Sequence, residues 1–376
     1  MLLNRRNFLK AITVSALGSN LSACTHKKLF NPDEDIFLSG GSYLDDGNIQ
    51  NALIVINLTQ TEKRIIETTF LPHGIYIDPN NKYRVYCYEK NGSNACEIDL
   101  KTKEIVRHLH TETNQLFSGH TSFSMDGKSI YCIETNVDTR QGSINIRDTE
   151  TFQSTQQLPT LGLSPHDCQL NDHVLTVSNT GQSSSDFHQP SLVKIDLTTE
   201  KLIERIKLDD KNLNCGHFYV NDNGNIIIAS APLDIGNKSA SGGISFHQLN
   251  DTTITMTEPD VVIRRMTGEA LGIQINKKHQ IAAITHPEAN LLTFWSTKDK
   301  KIIKAFGFEN PRGISQTLDQ KNFVVSYGKK SAMALITIED LSPQIESVIQ
   351  PTFTSGEHLI NWSESLREIM PKGVYR

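Results

Sequence analysis

The feature that most constrains this chain is a unit that recurs at intervals of about 47 residues. Each unit opens on a short strand-like run, passes through a turn and returns in an apolar run, as in "HGIYIDPNNKYRVYC" and "HFYVNDNGNIIIAS". The units open at His73, His120, His166, His217, Leu271, Arg312 and His358. A four-stranded unit cannot bury both of its faces alone, so such a repeat is typical of a β-propeller.

The runs between the turns favour strands over helices. They are short and rich in β-branched residues, such as "ALIVINL" at 52–58 and "NFVVSY" at 322–327. Turn pairs such as Asn91-Gly92 and Asn223-Gly224 separate them, which is the punctuation of an all-β protein. The sequence therefore predicts an all-β fold, a seven-bladed β-propeller.

The two ends of the repeat predict how the propeller closes. The last unit has only a first strand, at 358–362, whereas the start of the chain supplies three unassigned strands at 35–40, 52–58 and 62–70. We expect the N-terminal strands to pair with the C-terminal strand in one blade, because that closure removes exposed sheet edges. The propeller domain is predicted to span residues 35–376.

The first residues resemble an export signal. Arg5 and Arg6 form a twin-arginine pair, and the apolar stretch at 11–23 is too short for a permanent membrane span. Cys24 follows "LSA" and is predicted to be lipidated, with residues 1–23 as signal peptide and 24–34 as tether. The lipid would anchor a periplasmic protein to the membrane, with the outer membrane favoured because Thr25 follows the cysteine. An ordinary cleavage site with an incidental cysteine is the alternative.

Charge and cysteine content exclude some classes and leave others open. The net charge is −5 and the chain has no basic stripe, so no nucleic acid partner is expected. Of six cysteines, five remain if Cys24 is acylated, and an odd number leaves at least one unpaired. Cys87 and Cys96 flank a turn, which leaves a cross-strand disulfide open.

The residues that open the units predict a ligand-binding ring. The first strand of a blade lines the central channel, so its opening residue should lie at the channel mouth. The loops between second and third strands open on the same face and add Asp234, His286 and Glu288 to the expected rim. The predicted ligand-binding residues are His73, His120, His166, His217, Arg312, His358, Glu134, Asn136 and Asn179.

A smaller group within this ring predicts a metal site. His120, His166 and His217 offer imidazoles, the commonest metal ligands in proteins, and Cys168 and Cys215 offer sulfur nearby. Such a set suits a transition metal such as iron, copper or zinc. The alternatives are histidines that hydrogen-bond within their own blades, an organic or peptide ligand, and cysteines that only fill the core.

Several stretches resemble the bacterial domain-of-unknown-function family 1513 (DUF1513). They include "PHGIYIDP", "FSGHTSFSMDGKSIYCIETN", "GLSPHDCQL" and "NPRGIS", over roughly residues 40–340. The resemblance implies a seven-bladed propeller exported through the twin-arginine route. It also implies gene neighbourhoods concerned with iron uptake, with imelysin-like lipoproteins and di-heme oxidoreductases. "NCGH" at 214–217 replaces a more basic pair of that family, and Leu271 interrupts the ring.

Three functional hypotheses follow. The first is a periplasmic binding or scaffold protein for metal uptake, with other periplasmic lipoproteins or redox proteins as partners. The second is a metal-dependent oxidoreductase or hydrolase that uses the same channel mouth. The third is a protein-binding propeller with structural histidines only. The sequence has no nucleotide-binding glycine loop, His-Glu-x-x-His, Gly-x-Ser-x-Gly or Cys-x-x-Cys-His pattern, and whether the chain is an enzyme stays open.

Overall fold

The computed structural model describes residues 30–181, 189–234, 236–237, 239–249 and 251–369. The described chain forms seven antiparallel sheets of four strands each. The first strands of neighbouring blades contact one another all the way round the axis. The prediction of an all-β, seven-bladed propeller is confirmed.

Blades 1 to 4 come from both ends of the chain and its first half. Blade 1 contains β28 (Thr354–Asn361), β1 (Ile36–Asp45), β2 (Asn48–Asn57) and β3 (Glu62–Thr68). Blade 2 contains β4 (Gly74–Ile77), β5 (Arg84–Tyr88), β6 (Asn94–Asp99) and β7 (Glu104–His110). Blade 3 contains β8 (Gln115–Phe123), β9 (Ser129–Asn136), β10 (Gln141–Asp148) and β11 (Ser154–Leu163). Blade 4 contains β12 (Pro165–Asn171), β13 (Val174–Asn179), β14 (Ser191–Asp196) and β15 (Lys201–Ile206).

The second half of the chain forms the remaining blades and two short helices. Blade 5 contains β16 (His217–Val220), β17 (Ile226–Ser230), β18 (Gly243–His247) and β19 (Thr253–Thr255). Blade 6 contains β20 (Ile273–Asn276), β21 (Ile281–His286), β22 (Leu291–Ser296) and β23 (Lys301–Gly307). Blade 7 contains β24 (Ile314–Gln316), β25 (Asn322–Tyr327), β26 (Ala332–Thr337) and β27 (Pro343–Ile349). Helix α1 (Asp260–Ile263) lies between blades 5 and 6, and α2 (Trp362–Ile369) follows β28.

Blade 1 closes the ring as the ends of the sequence predicted. Strand β1 pairs antiparallel with β28, with Phe37 opposite Asn361. The Asn361 side-chain amide donates a hydrogen bond to Asp35 at 3.0 Å. The Trp362 indole N–H donates to the Lys82 carbonyl of blade 2 at 2.6 Å. The closing strand is therefore fixed to both the start of the chain and the next blade.

The core lies between the blades rather than within any one of them. The middle strands are buried on both faces, which explains their nearly continuous apolar runs, such as "IIIAS" in β17. One core cluster joins blades 1 and 2 through Leu38, Val85 and Trp362. Each blade therefore buries its faces against two neighbours, as the repeat predicted.

The predictions for the N-terminal segment concern residues that lie largely outside the described part of the chain. Arg5, Arg6 and Cys24 all lie outside them. The described part of the predicted tether contacts the propeller: the ring of Phe30 lies 5.6 Å from that of Trp362, and the Asn57 amide donates to Glu34 at 2.6 Å. Within the described part of the chain, no helix has the length and apolar character to cross a membrane.

Candidate metal centre

Five histidine side chains from five successive blades meet at the channel axis. Their ring centroids are 4.6 Å apart for His166 and His217, 4.6 Å for His73 and His358, and 5.1 Å for His120 and His217. These are five of the residues that open the repeated units, so the first strands carry them to a common point. The side chains of His73, His120 and His217 are almost fully buried.

The Nε2 atoms of these histidines face one another across blade boundaries. The Nε2 atoms of His73 and His120 lie 3.1 Å apart, as do those of His166 and His217. The Nε2 atom of His358 lies 3.4 Å from that of His73. The closest contacts of these nitrogens are thus with histidines of other blades.

Two carboxylates hold the opposite sides of three of the rings. Asp167 lies with one oxygen 3.1 Å from His120 Nδ1 and the other 3.5 Å from His217 Nδ1. Glu357 lies 3.3 Å from His73 Nδ1. A carboxylate only accepts hydrogen bonds, so these contacts place the imidazole protons on Nδ1. The Nε2 lone pairs then point towards the shared centre.

Further groups fix the two carboxylates and one ring. Lys90 Nζ lies 2.6 Å from Glu357, and an Arg312 guanidinium nitrogen lies 3.2 Å from the other oxygen of the same carboxylate. The Cys168 backbone N–H donates to Asp167 at 2.8 Å. The Tyr76 hydroxyl lies 3.1 Å from His120 Nδ1.

The local conformation of Gly119 allows two of the rings to approach. Gly119 has φ of +102°, and a Cβ atom at this position would collide with the His73 ring. The pairing of β8 with β9 is irregular between Phe117 and Thr121. A glycine at 119 therefore lets β8 bring His120 beside His73, because other residues rarely adopt this conformation.

The electrostatics keep four of the imidazoles neutral, those of His73, His120, His166 and His358, and both carboxylates charged. Burial, and then the neighbouring histidines, hold the pKa values of His73, His166 and His358 well below the usual range. Burial also lowers the pKa of His120, although Asp167 opposes that shift. Although burial acts in the opposite direction, the partner histidines hold the pKa of Asp167 well below its usual range.

This arrangement could hold a metal ion. The three short Nε2 separations of 3.1 to 3.4 Å are close to the roughly 3.4 Å between two ligands of a tetrahedral zinc ion with bonds of about 2.1 Å. Lone pairs facing one another repel unless a cation lies between them. Three groups of ligand atoms lie within 4.8 Å of one another: His73, His120 and His166; His120, His217 and His358; and His73, Glu357 and His358.

The histidine cluster, defined as His73, His120, His166, His217 and His358, borders two cavities. One cavity of about 650 Å³ is bounded by His166 and His217, together with Lys90, Glu269 and Glu288. The other, of about 160 Å³, is bounded by His120, His217 and His358, with Tyr76, Asp167 and Leu271. The cluster therefore contributes side chains to both cavities.

Other residues predicted for the ring lie away from the cluster. Glu134 is fully buried inside blade 3, where a carboxylate oxygen lies 2.7 Å from Arg147. The Asn136 side chain accepts hydrogen bonds within its own turn, from Asp138 at 3.1 Å. Asn179 accepts a 2.7 Å hydrogen bond from the Thr160 hydroxyl. These three side chains stabilise blades 3 and 4 rather than facing the channel centre.

Of the remaining residues predicted for the rim, some lie beside the candidate site and others do not. Glu288 borders the larger cavity and Arg312 reaches Glu357. His286 is buried inside blade 6, with Nε2 3.0 Å from the Thr293 hydroxyl. The backbone carbonyl of Asp234 accepts a hydrogen bond within its own loop.

The cysteines lie in the core. Cys168 and Cys215 pack into apolar clusters, and neither belongs to a metal-binding group within the described part of the chain. Burial raises the pKa of Cys215 to about 12 and that of Cys168 well above its usual range. Cys87 and Cys96 lie opposite each other on β5 and β6, both buried and both as free thiols.

Sequence reasoning missed Asp167, Glu357, Tyr76 and Lys90. Asp167 and Glu357 are chain neighbours of the ring residues His166 and His358, and that adjacency was the available signal. In each case the carboxylate contacts a histidine of a different blade. Such pairings depend on the closed ring and cannot be read along the chain.

Comparison with known proteins places the chain in context. The sequence profile of the family described as "Protein of unknown function (DUF1513)" matches residues 70–360. No curated protein matches this chain.

Solved structures resemble the fold at low sequence identity. A selenium-binding protein from Sulfolobus tokodaii, described as hypothetical, superposes with a TM-score of 0.61 at 13% identity, covering 89% of this chain and 92% of that one. Hydrazine synthase of Kuenenia stuttgartiensis gives 0.59 at 12%, covering 88% and 99%. Dihydro-heme d1 dehydrogenase NirN in complex with DHE gives 0.59 at 12%, covering 92% and 78%. At such identities the likeness establishes the propeller fold alone.

Proposed function

We propose that this chain, which belongs to the DUF1513 family, binds a transition-metal ion with the histidine cluster at the mouth of its propeller channel. The observation that carries the proposal is the convergence of Nε2 atoms from different blades at 3.1 to 3.4 Å. The hydrogen bonding within each blade does not require these contacts, because each joins side chains of different blades. A bound cation would offset the repulsion between the inward-facing lone pairs.

The composition of the site favours a divalent or monovalent late transition metal. The cluster offers neutral imidazoles, which suit ferrous iron, copper and zinc, whereas ferric iron prefers oxygen ligands. Glu357 is paired with Lys90 and Arg312, so Asp167 is the carboxylate whose charge remains to balance the ion. The site would therefore hold a cation of low charge. For an iron-uptake role, this means ferrous iron.

We further propose that the protein acts as an exported, lipid-anchored binding protein that presents this metal to other periplasmic lipoproteins or redox proteins. The support is the twin-arginine pair Arg5-Arg6 and the cysteine Cys24 in the sequence. The double variant Arg5→Lys/Arg6→Lys should retain the full precursor in the cytoplasm, and Cys24→Ser should abolish labelling with radioactive palmitate. Normal export and labelling of both variants would contradict this part.

The metal proposal is tested by metal content. The propeller is purified with Cys24 replaced by serine, stripped with a chelator, and titrated with ferrous iron, copper and zinc; bound metal is measured by mass spectrometry. We expect one of these ions to bind stoichiometrically, and His120→Ala/His217→Ala to lose it. His173→Ala, which removes an exposed histidine, is the matched control. A wild-type protein that binds none of the ions would overturn the proposal.

A metal-dependent oxidoreductase or hydrolase is the second candidate. The cavity of about 650 Å³ that borders His166 and His217 supports it, because a substrate there would adjoin the metal. Turnover of a substrate by the metal-loaded protein, lost with the metal, would favour the enzyme over the binding protein.

A further inference from the structure

The larger cavity beside the histidine cluster has the dimensions of a small-molecule site. Its volume is about 650 Å³, within the roughly 300 to 1,000 Å³ of ligand pockets. Two histidines of the cluster, His166 and His217, form one side of it. A ligand in the cavity would therefore lie against the proposed metal ion.

A cationic side chain borders this cavity. Lys90 is close enough to the cluster to contribute to the lowered pKa values of His73 and His166. Its ammonium group lies 2.6 Å from Glu357 and is about one-third exposed, so N–H donors remain for a ligand. With a metal ion in the cluster, the surroundings of Lys90 would attract an anionic group.

Two acidic side chains border the same cavity. Glu269 and Glu288 both line it, and the Glu269 backbone N–H donates to the Glu288 carboxylate at 3.3 Å. Burial, and then the charges of Glu357 and Glu288, raise the pKa of Glu269, although the charge of Lys90 opposes that shift. A cationic group on a ligand would relieve the repulsion between these carboxylates.

Part of the remaining wall is apolar. Ala231, Pro232 and Ala270 line it together with the backbone of Gly216, whereas two threonines and two asparagines contribute polar groups. The small apolar side chains leave room for an apolar ligand body beside the charged groups. The cavity thus offers, in one space, a cationic group, two acidic groups and an apolar surface.

We propose that this cavity binds a zwitterionic amino-carboxylate with an apolar body, its carboxylate towards Lys90 and the metal and its ammonium group towards Glu269 and Glu288. The inference rests on the proposed metal site for part of the affinity of the ligand. The charged side chains that line the cavity are present with or without a metal ion. The ligand would occupy a coordination position that the histidines leave open.

Three probes that share a phenyl ring measure the contribution of each ligand charge separately. L-phenylalanine carries both charges, 3-phenylpropionate lacks the amino group, and 2-phenylethylamine lacks the carboxylate. Zinc-loaded protein, with zinc content measured for each sample, is titrated with each probe by isothermal calorimetry at pH 7. We expect L-phenylalanine to bind at least about tenfold more tightly than either single-charge probe.

Variants test which side chains of the cavity contact each part of the ligand. Glu269→Gln should weaken L-phenylalanine and 2-phenylethylamine about tenfold and leave 3-phenylpropionate unchanged. Ala231→Trp should fill the cavity and abolish binding of all three probes while the zinc content stays at the wild-type level. Glu150→Gln, at an exposed turn, removes a carboxylate from elsewhere and should change nothing.

The failure of each proposal has a distinct signature. If 3-phenylpropionate binds as tightly as L-phenylalanine, or if zinc-loaded protein binds no probe, the amino-carboxylate proposal is wrong while the metal site stands. If zinc does not bind, the titrations are repeated on metal-free protein. Binding of L-phenylalanine that Glu269→Gln weakens would then support the cavity proposal without the metal, and absence of binding would overturn both.

Discussion

The Nε2 atoms of His166 and His217, from blades 4 and 5, lie 3.1 Å apart. Asp167 lies 3.5 Å from Nδ1 of His217 and places the proton of that ring on Nδ1. If His166 is also protonated on Nδ1, neither of the two facing Nε2 atoms carries a proton. In that tautomer, their closeness is unfavourable in the metal-free protein and favourable around a cation. Loss of one of these two rings should therefore lower the affinity for metal while it removes an unfavourable contact from the metal-free protein.

The variant His217→Ala separates a ligand from a structural histidine. We expect the metal-free protein to lose no more than about 1 kcal/mol of unfolding free energy, since an unfavourable contact is removed with the ring. The stabilisation by zinc, about 2.7 kcal/mol for wild type at a hundredfold excess over Kd, should nearly vanish. Denaturant unfolding with and without zinc measures both. A large loss of stability without a change in the zinc effect would indicate a structural histidine.

Asp167 is expected to position two rings rather than to bind metal itself. Asp167→Asn should weaken metal binding by about ten- to a hundredfold, because the amide loses the charge that fixes the Nδ1 protons of His120 and His217. Competition with a chromophoric chelator measures the affinity. Asp172→Asn, at an exposed carboxylate, is the control, and equal affinities for the two variants would contradict the role given to Asp167.

Gly119→Ala should displace His73. The new methyl group would meet the His73 ring at a backbone φ of +102°, so we expect a loss of about 1–3 kcal/mol in stability together with weaker metal binding. Gly47→Ala is a matched control, because Gly47 also has a positive φ, of +85°, but nothing lies within 4 Å of the added atom. If Gly119→Ala and Gly47→Ala both bind metal as tightly as wild type does, the close contact of Gly119 with the His73 ring does not position His73.

The buried histidine of blade 6 predicts how stability depends on pH. Burial lowers the pKa of His286 to about 3, whereas an unfolded histidine titrates near 6.5. Between these values the unfolded chain takes up a proton that the folded chain does not. The unfolding free energy should therefore fall by about 1.4 kcal/mol per pH unit below pH 6.5 from this residue, and not change above it.

Comparison of two glutamine variants isolates that contribution. His286→Gln should reduce the fall in stability between pH 6.5 and 4 by about 1.4 kcal/mol per pH unit, measured by urea unfolding of metal-free protein, while the other buried histidines keep the remainder of the slope. His173→Gln, at an exposed histidine, should keep the wild-type slope. Identical slopes for the two variants would show that His286 is protonated in the folded protein.

The buried cysteines are expected to be unreactive. Cys87, Cys96, Cys132, Cys168 and Cys215 are all buried free thiols. Burial, with Glu134 nearby, raises the pKa of Cys132 to about 12, and the thiol form is a poor nucleophile. A chromogenic disulfide reagent should label none of the five in folded Cys24→Ser protein and all five in guanidinium. Rapid labelling of the folded protein would show that the blades open readily.

Much of the fold was predictable because its determinants are local. Short runs rich in β-branched residues, glycine turns and their recurrence predicted the strand type and the number of blades. The truncated last unit and the spare strands at the start predicted the pairing of β1 with β28. The recurrence also placed His73, His120, His166, His217 and His358 at the openings of first strands.

Which side chains meet depends on the closed ring of blades. The sequence treats Glu134 and Asp167 alike as acids near the ends of strands, yet Glu134 pairs with Arg147 inside its own blade and Asp167 reaches His120 and His217 of two other blades. The difference arises because Asp167 contacts residues more than 40 positions away in the sequence. Those contacts depend on how neighbouring blades are oriented and on the side-chain rotamers. Local periodicity decides which strand a residue occupies, whereas the closed ring decides which neighbour it meets.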